Sequence, residues 1–405
     1  MNFDPLSERF SDNPYRAYAA LRKLEQPFYY ADMDVWLLSR YEDIERVALD
    51  RTFVRSLDAF LPQHQVDQHR RRVNWHDMPN HAKYVQTSLL DSDGDVHFRL
   101  RKIVLGSFTA RYVQRYRSMI QQYVDRFLDE LLDVHEFDFV EDLAAHVPGH
   151  IIGNVLGVPA EDCHKLRIWS ENVVQFFDAD RTEAHKQLAE QATTDFCHYL
   201  ETLIAERRRQ PREDLVTALI AANNAGDLSE TELISTCMLI LMAGHGSTID
   251  VLGSGMHALL RHPDQMQRLR ADADLIQTAV QEMFRYESPL PFFHRYAAKD
   301  VEVLGKRYPR GTKFGLLYGS ANRDENRFTN ASDFDVTRAP NRHIAFGRGP
   351  HLCLGNHLSR LDMEIMFLTL LRRTRSIELA ADAVHYKRSL SVRGPIALPI
   401  RVRPA

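Results

Sequence analysis

Between Ser229 and Pro263 lies the segment that most constrains what this chain can fold into. Ser229-Glu-Thr-Glu232 has the spacing of a capping box, in which each end residue's side chain satisfies a free backbone N–H of the other. Pro263 cannot continue a helix, so the segment stops there. An unbroken helix over this span would be roughly 50 Å long, enough to cross a whole domain. Its residues 233–243 are almost entirely apolar, and a helix apolar on every side has to be buried. The apolar stretch is too short to span a bilayer and runs into Gly-His-Gly-Ser. It therefore predicts the core helix of a large globular body.

The chain has the length for such a body. Its 405 residues contain no Gly/Ser-rich or Pro-rich linker and no internal repeat, so one domain over residues 1–405 is expected. A content of 44% hydrophobic and 26% charged residues is that of an ordinary globular protein. The net charge of −4 argues against nucleic acid or an anionic membrane as a partner. Cys163, Cys197, Cys237 and Cys353 lack framework spacing, which fits a reducing compartment. The first residues show no basic region followed by an apolar run, and the expectation is a cytoplasmic protein.

Elsewhere the pattern is mostly helical. A helix is expected over residues 14–24, strands at 28–30 and 35–39, and a helix at 41–49. Residues 55–95 are polar and rich in His, Arg and Gln, without a sustained period, and predict a long functional loop. Beyond it, Leu100, Ile103, Val104 and Phe108 form one apolar face, and Met119, Tyr123, Phe127 and Leu131 another. Helical patterns fill residues 159–222 and continue to Tyr286; strand-like pieces follow at 295–297, 301–304 and 313–317. A last helix over 356–373 carries Leu358, Leu361, Ile365, Leu368 and Leu371 on one stripe, and two short β-like segments close the chain. The class is mainly α with a minor β part.

Chemistry concentrates in His343-Ile-Ala-Phe-Gly-Arg-Gly-Pro-His351-Leu-Cys353-Leu-Gly355. Cys353 falls where the last helix begins, and the N–H groups and dipole of a helix start favour negative charge. Arg348, His351 and His357 would add positive charge, and together these lower a thiol pKa. Gly347, Gly349 and Gly355 would let backbone approach a flat partner. The residues admit three readings. One is a buried structural cysteine. Another is a zinc site from His343, His351, Cys353 and His357, although this spacing matches no structural zinc pattern. The third is a single thiolate ligand to haem iron.

Phe346-Gly-Arg-Gly-Pro-His-Leu-Cys353-Leu-Gly355 resembles the haem-binding loop of the cytochrome P-450 family, Phe-x-x-Gly-x-x-x-Cys-x-Gly. Glu282-Met-Phe-Arg285, with Arg338, resembles the family's Glu-x-x-Arg and third arginine, and His97-Phe-Arg-Leu-Arg101 its His-x-x-x-Arg. Asn13-Pro-Tyr is compatible, and Ala243-Gly-His-Gly-Ser-Thr248 is similar to the family's Ala-Gly-x-Asp/Glu-Thr. The resemblance implies the P-450 fold, with haem b between the long oxygen-side helix and the Cys-loop helix. It implies Cys353 as the metal ligand, Phe346 and Gly355 against the haem, and His97, Arg101, Arg295 and His351 toward its propionates. Glu282, Arg285 and Arg338 become a buried structural network.

The sequence departs from the family on the oxygen side. The acid position is Gly246 and the alcohol position Ser247, with Thr248 next. In the family a hydroxyl and ordered water relay protons to bound oxygen. Ser247 keeps the hydroxyl, whereas the carboxylate is absent; His245 and Asp250 are turned roughly 100° and 300° from Gly246 on a helix. Gly246, Ser247 and Thr248 are thus the catalytic candidates.

The resemblance implies a monooxygenase acting on a small to medium hydrophobic substrate. The chain has no dinucleotide-binding glycine loop and no iron–sulfur cysteine set, so electrons would come from a ferredoxin and its reductase. Arg99, Lys102, Arg111, Arg342, Arg348 and Arg360 are candidates for a basic patch receiving an acidic partner. Expected pocket walls are the 55–95 loop, Phe176, Phe177, Ile240, Ala243 and residues 290–293 and 392–396. Non-hydroxylating or peroxide-driven chemistry, and a non-catalytic haem sensor, stay open as alternatives.

Overall fold

The computed structural model describes residues 3–178 and 181–405. Residues 179 and 180, inside the expected helical run over 159–222, lie outside the described residues, as do the first two of the chain. Helix accounts for 59% and strand for 10%, which settles the mainly α class.

The N-terminal part folds as its pattern predicts, with helices Tyr15–Arg22 and Tyr41–Leu49 around strands Phe28–Tyr30 and Val35–Leu38. These strands enter a five-stranded sheet in the order Phe28–Tyr30, Val35–Leu38, Lys313–Leu316, Phe293–Ala297, Phe53–Val54. Val35–Leu38 and Lys313–Leu316 run parallel and the other neighbours antiparallel. An apolar cluster including Tyr18, Leu37, Ile44, Phe314 and Tyr318 packs against this sheet. The closing segments Thr374–Leu379 and Pro399–Pro404 pair with each other, and Pro399–Pro404 pairs on its other side with Glu136–Asp138.

Three expectations are corrected. Residues 55–95 contain helices Gln63–Arg72 and Pro79–Tyr84. The first buries only Val66, so it has no apolar stripe to read from sequence. In helix Arg117–Val134 the fully buried stripe is Ile120, Val124, Leu128 and Leu132, one residue on from the expected one. Two apolar stripes lie side by side there; the other is half-buried, with Tyr123 against His150 and Phe127 stacked on His146.

The third correction concerns the core helix. The capping box of Ser229 and Glu232 forms, but Glu230–Ala243 and Gly246–Arg261 are separate helices, broken at Gly244 and His245. Gly244 lies where a Cβ would stand 2.5 Å from Ile152 Cγ1, so glycine allows the helix Val147–Leu156 to approach. His245 stands at the break and buries its ring, with Nε2 3.4 Å from where Gly149 would carry a Cβ. Most of the apolar run over both helices is buried inside the protein. The last helix, Asn356–Arg373, stands as expected and crosses both Arg117–Val134 and Ile276–Tyr286.

Candidate active site

The loop before the last helix is a set of tight turns. Gly347 and Gly349 have φ of +72° and +71°, a region that favours glycine. A Cβ on Gly349 would also meet the Ala48 carbonyl oxygen at 2.5 Å, whereas Gly355 has open space on that side. The Cys353 N–H donates to the Phe346 carbonyl at 2.9 Å and closes the loop. Cys163, Cys197 and Cys237 are buried, and Cys353 alone is exposed. Burial pushes the thiol up, opposed by the Gly355 N–H that donates to the sulfur and by Arg101 and Arg360. The nearby charge thus comes from those two arginines. Arg348 lies 3.4 Å from Glu45 instead, and burial lowers the pKa of both His351 and His357.

Beside this loop, four groups expected to bind anions converge. The His97 and His351 rings lie 4.2 Å apart. Burial holds each near pKa 4, so both are neutral at physiological pH. His351 Nε2 is 3.3 Å from Asp93 Oδ1, and Asp93 also accepts the N–H groups of Arg55 and Ser56. His97 Nε2 is buried without a hydrogen-bond partner among the described residues. Arg101 donates to the Leu352 carbonyl at 2.5 Å, tying the helix Gly94–Leu105 to the cysteine loop. Arg295 is 3% exposed and donates to the His294 carbonyl, with no carboxylate in ion-pair contact among the described residues. A buried guanidinium without a counter-ion calls for an anion.

Across from the loop is the helix break. Ser247 Oγ donates to the Ala243 carbonyl at 3.4 Å, the back-bond a serine makes where a helix opens. Thr248 Oγ1 lies 3.3 Å from Ser359 Oγ, on the second turn of the helix that follows Cys353. This contact joins the Gly246–Thr248 step to the cysteine helix. A Cβ on Gly246 would meet nothing within 4 Å. Ala243 is exposed although residues 233–242 before it are buried, and Leu352 and Ile396 are exposed apolar residues too. Asp250 is buried and paired with Lys387 at 2.8 Å, so it is already committed. Phe176 is fully buried against Trp75 and His81 and forms no pocket surface.

Glu282 is the hub of a buried network behind the loop. Its carboxylate receives Arg285 in two bonds of 2.7 Å, Arg338 Nε at 3.1 Å and Asn341 Nδ2 at 3.0 Å. Glu282 and Arg285 are completely buried, and Arg285 also donates to the carbonyls of Asn322, Ala331 and Asp333.

The sequence model of the family described as Cytochrome P450 matches residues 35–384. The chain belongs to the cytochrome P450 family. It is 33% identical to the polyketide biosynthesis cytochrome P450 PksS of Bacillus subtilis over 409 residues, 98% of either chain. To the 6-deoxyerythronolide B hydroxylase of Saccharopolyspora erythraea it is 32% identical over 402 residues, again 98% of each. Among solved structures, P450BioI in complex with an acyl carrier protein ligated to hexadec-9Z-enoic acid matches with a TM-score of 0.90. Identity there is 31%, covering 98% of this chain and 99% of that one. As a cytochrome P450, the protein is an oxidoreductase of the monooxygenase class.

The family implies haem iron with a thiolate ligand, and the residues present fit it. The exposed Cys353, the unpartnered His97 nitrogen and the buried Arg295 without an ion pair are what a dianionic, flat iron complex would satisfy. Zinc fits poorly: His343 is bound to Gln281 at 2.9 Å and stacked on Phe284, and His351 is engaged with Asp93. Of the six cations expected to meet a redox partner, Arg99 is paired with Glu232, Arg348 faces Glu45 and Arg360 lies over the Phe346 ring. Lys102, Arg111 and Arg342 are exposed without an ion pair among the described residues. Sequence reasoning missed Arg55 and Asp93, which brace His351 and His294, because their partners are far away in the chain.

Proposed function

We propose that this P450 inserts one atom of dioxygen into a C–H bond of a small to medium hydrophobic substrate, with haem b held by Cys353. When bound, the haem supplies the activation of dioxygen. The observation that carries this reading is Cys353 itself: exposed where the other three cysteines are buried, its sulfur hydrogen-bonded by the Gly355 N–H and facing the charges of Arg101 and Arg360, with Arg360 Nε buried and unpartnered. Cys353 would ligate the haem iron, Phe346 and Gly355 would border the haem, and His97, Arg101, Arg295 and His351 would hold its propionates. Ser247 holds a proton at its Oγ on the oxygen side, with Thr248 anchoring the break against Ser359. Ala243 and Ile396 offer apolar surface to the substrate. Electrons come from an external ferredoxin and its reductase, and Lys102, Arg111 and Arg342 form the basic face that meets the partner. The setting is the cytoplasm. The absent acid at Gly246 supports a second reading, non-hydroxylating or peroxide-driven chemistry at the same site, which turnover with peroxide against turnover with reduced ferredoxin separates.

The purified protein is expected to carry one b-type haem, with the red-shifted Soret band of thiolate ligation in its ferrous CO adduct. Cys353→Ala abolishes that band, and substitutions at Cys163, Cys197 and Cys237 leave it intact. A normal spectrum from the Cys353 variant would overturn the proposal.

A further inference from the structure

The helix that follows Cys353 carries an acid that its surroundings do not explain. Asp362, on Asn356–Arg373, is 3% exposed, and neither of its carboxyl oxygens makes a hydrogen bond or ion pair among the described residues. The other buried polar residue of that helix, Thr369, is satisfied by Gln121 at 2.9 Å. An unpartnered carboxyl in a protein interior costs stability whether it is charged or neutral, so native structures keep few of them. Burial is the one cause that raises the Asp362 carboxyl, well above the usual carboxylate range. The charges on the elements packed around this helix are engaged elsewhere: Glu364 with Arg117, Glu282 with Arg285 and Asp250 with Lys387. Asp362 is therefore a neutral acid at physiological pH, still holding its proton.

Its place in the chain connects it to the oxygen-side helix. Ser359 stands one turn before Asp362, and side chains three apart on a helix are neighbours. Ser359 Oγ is 3.3 Å from Thr248 Oγ1, and Thr248 follows Ser247 directly. The two helices meet again at Gly255, where a Cβ would stand 3.3 Å from Phe367. Asp362 thus lies on the stretch of its helix that packs against Gly246–Arg261, one turn beyond the serine that touches Thr248. That position matters because Gly246 offers no acid on the oxygen-side helix, and Asp250, one turn along, is tied to Lys387 at 2.8 Å. Hydroxyls pass protons on, but each must be reloaded from a group that has one to give.

We propose that Asp362 is the acid that reloads the proton relay of the oxygen side, acting through the hydroxyls of Ser359 and Thr248. The inference rests on the monooxygenase reading above and supplies the group that Gly246 lacks. Putting one atom of dioxygen into a C–H bond and the other into water takes two electrons and two protons. The electrons come from the external partner. For the protons, the Asp362 carboxyl O–H gives its proton to Ser359 Oγ as the Ser359 proton moves to Thr248 Oγ1. The Thr248 proton moves on to the side of Ser247, and a step longer than a hydrogen bond runs over a single water. The Asp362 carboxylate left behind takes a proton from solvent water and returns to its neutral form. A buried carboxyl suits this task, because burial brings its proton affinity closer to neutral pH, where general acids work best.

The test uses the haem-loaded enzyme, with the spectrum of its CO adduct recorded first. In the infrared at neutral pH, wild type minus Asp362→Asn is expected to show the carbonyl band of a neutral carboxyl, shifted in heavy water. The second measurement is hydrogen peroxide formed per dioxygen consumed during NAD(P)H-driven turnover with a ferredoxin and its reductase, which needs no added substrate. Reduction of dioxygen to water takes twice the protons that reduction to peroxide takes, so the water share reports proton supply. Asp362→Asn and Ser359→Ala are each expected to lower that share by about tenfold or more, with peroxide in its place. Asp362→Glu keeps an acid and restores it, whereas a packing role would be worsened by the longer side chain. A missing infrared band, a water share equal to wild type in either of the first two variants, or no recovery in Asp362→Glu would each overturn the inference. A normal thiolate band with an unchanged water share defeats this inference alone, and a missing thiolate band in wild type defeats the haem-thiolate reading.

Discussion

At the scale of single residues, the oxygen-side step departs from the family at one atom group and keeps room for it. Nothing lies within 4 Å of the Cβ that Gly246 lacks, so an aspartate there would enter open space. If water replaces the missing acid, Gly246→Asp keeps or raises the product formed per NAD(P)H consumed. A fall in turnover would show that the space belongs to substrate or to different chemistry. Ser247 bonds only weakly to the Ala243 carbonyl, at 3.4 Å, and its hydroxyl is free to turn toward a bound ligand. Ser247→Ala is expected to uncouple the enzyme, lowering product per NAD(P)H by about tenfold or more, with the electrons lost to hydrogen peroxide. Unchanged coupling would move the proton relay to Thr248 or to a hydroxyl of the substrate.

At the scale of elements, Glu282 ties the helix Ile276–Tyr286 to the segment that leads into the cysteine loop. Arg338 and Asn341 come from that segment, and the Asp335 N–H also donates to Glu282, at 2.9 Å. Arg285 adds the carbonyls of Asn322, Ala331 and Asp333. Removing either member of the buried pair leaves a charge without its partner, which costs about 3–5 kcal/mol. Glu282→Ala and Arg285→Ala are therefore expected to give little soluble protein and poor haem incorporation. Arg338→Ala, at the more exposed rim, should be milder. Haem content per chain and denaturant midpoints check this, and well-folded holoprotein from both core variants would contradict it.

At the scale of the whole molecule, several histidines are buried in their neutral form. Burial lowers His81 and His343 to about 3, and His245 and His257 to about 4. Unfolded histidine titrates near 6.5, so as pH falls below that value the unfolded chain takes up protons first. Their share of stability is complete above pH 6.5 and lost progressively toward pH 4. Urea midpoints should fall steeply across this window. His81 is fully buried and packs on Trp75 and Phe176, where a phenylalanine keeps the ring contacts. His81→Phe should therefore flatten the pH slope of stability by about 1.4 kcal/mol per pH unit. A slope equal to wild type would show that His81 does not titrate on unfolding.

The sequence by itself determined what depends on local chemistry. The capping box at Ser229, the last helix Asn356–Arg373 and the Glu282–Arg285 spacing each need only neighbours within a turn or two to be read. The glycines of the cysteine loop were equally legible, although Gly349 serves the approach of Ala48 as much as that of a flat ligand. Tertiary structure decided the rest. Of two adjacent apolar stripes on Arg117–Val134, packing alone selected which became fully buried. At the break in the core helix, Gly244 is where Ile152, far away in sequence, comes too close for a side chain. The cations that reach Cys353 turned out to be Arg101 and Arg360, since a charge acts through space and burial had already neutralised the nearby histidines.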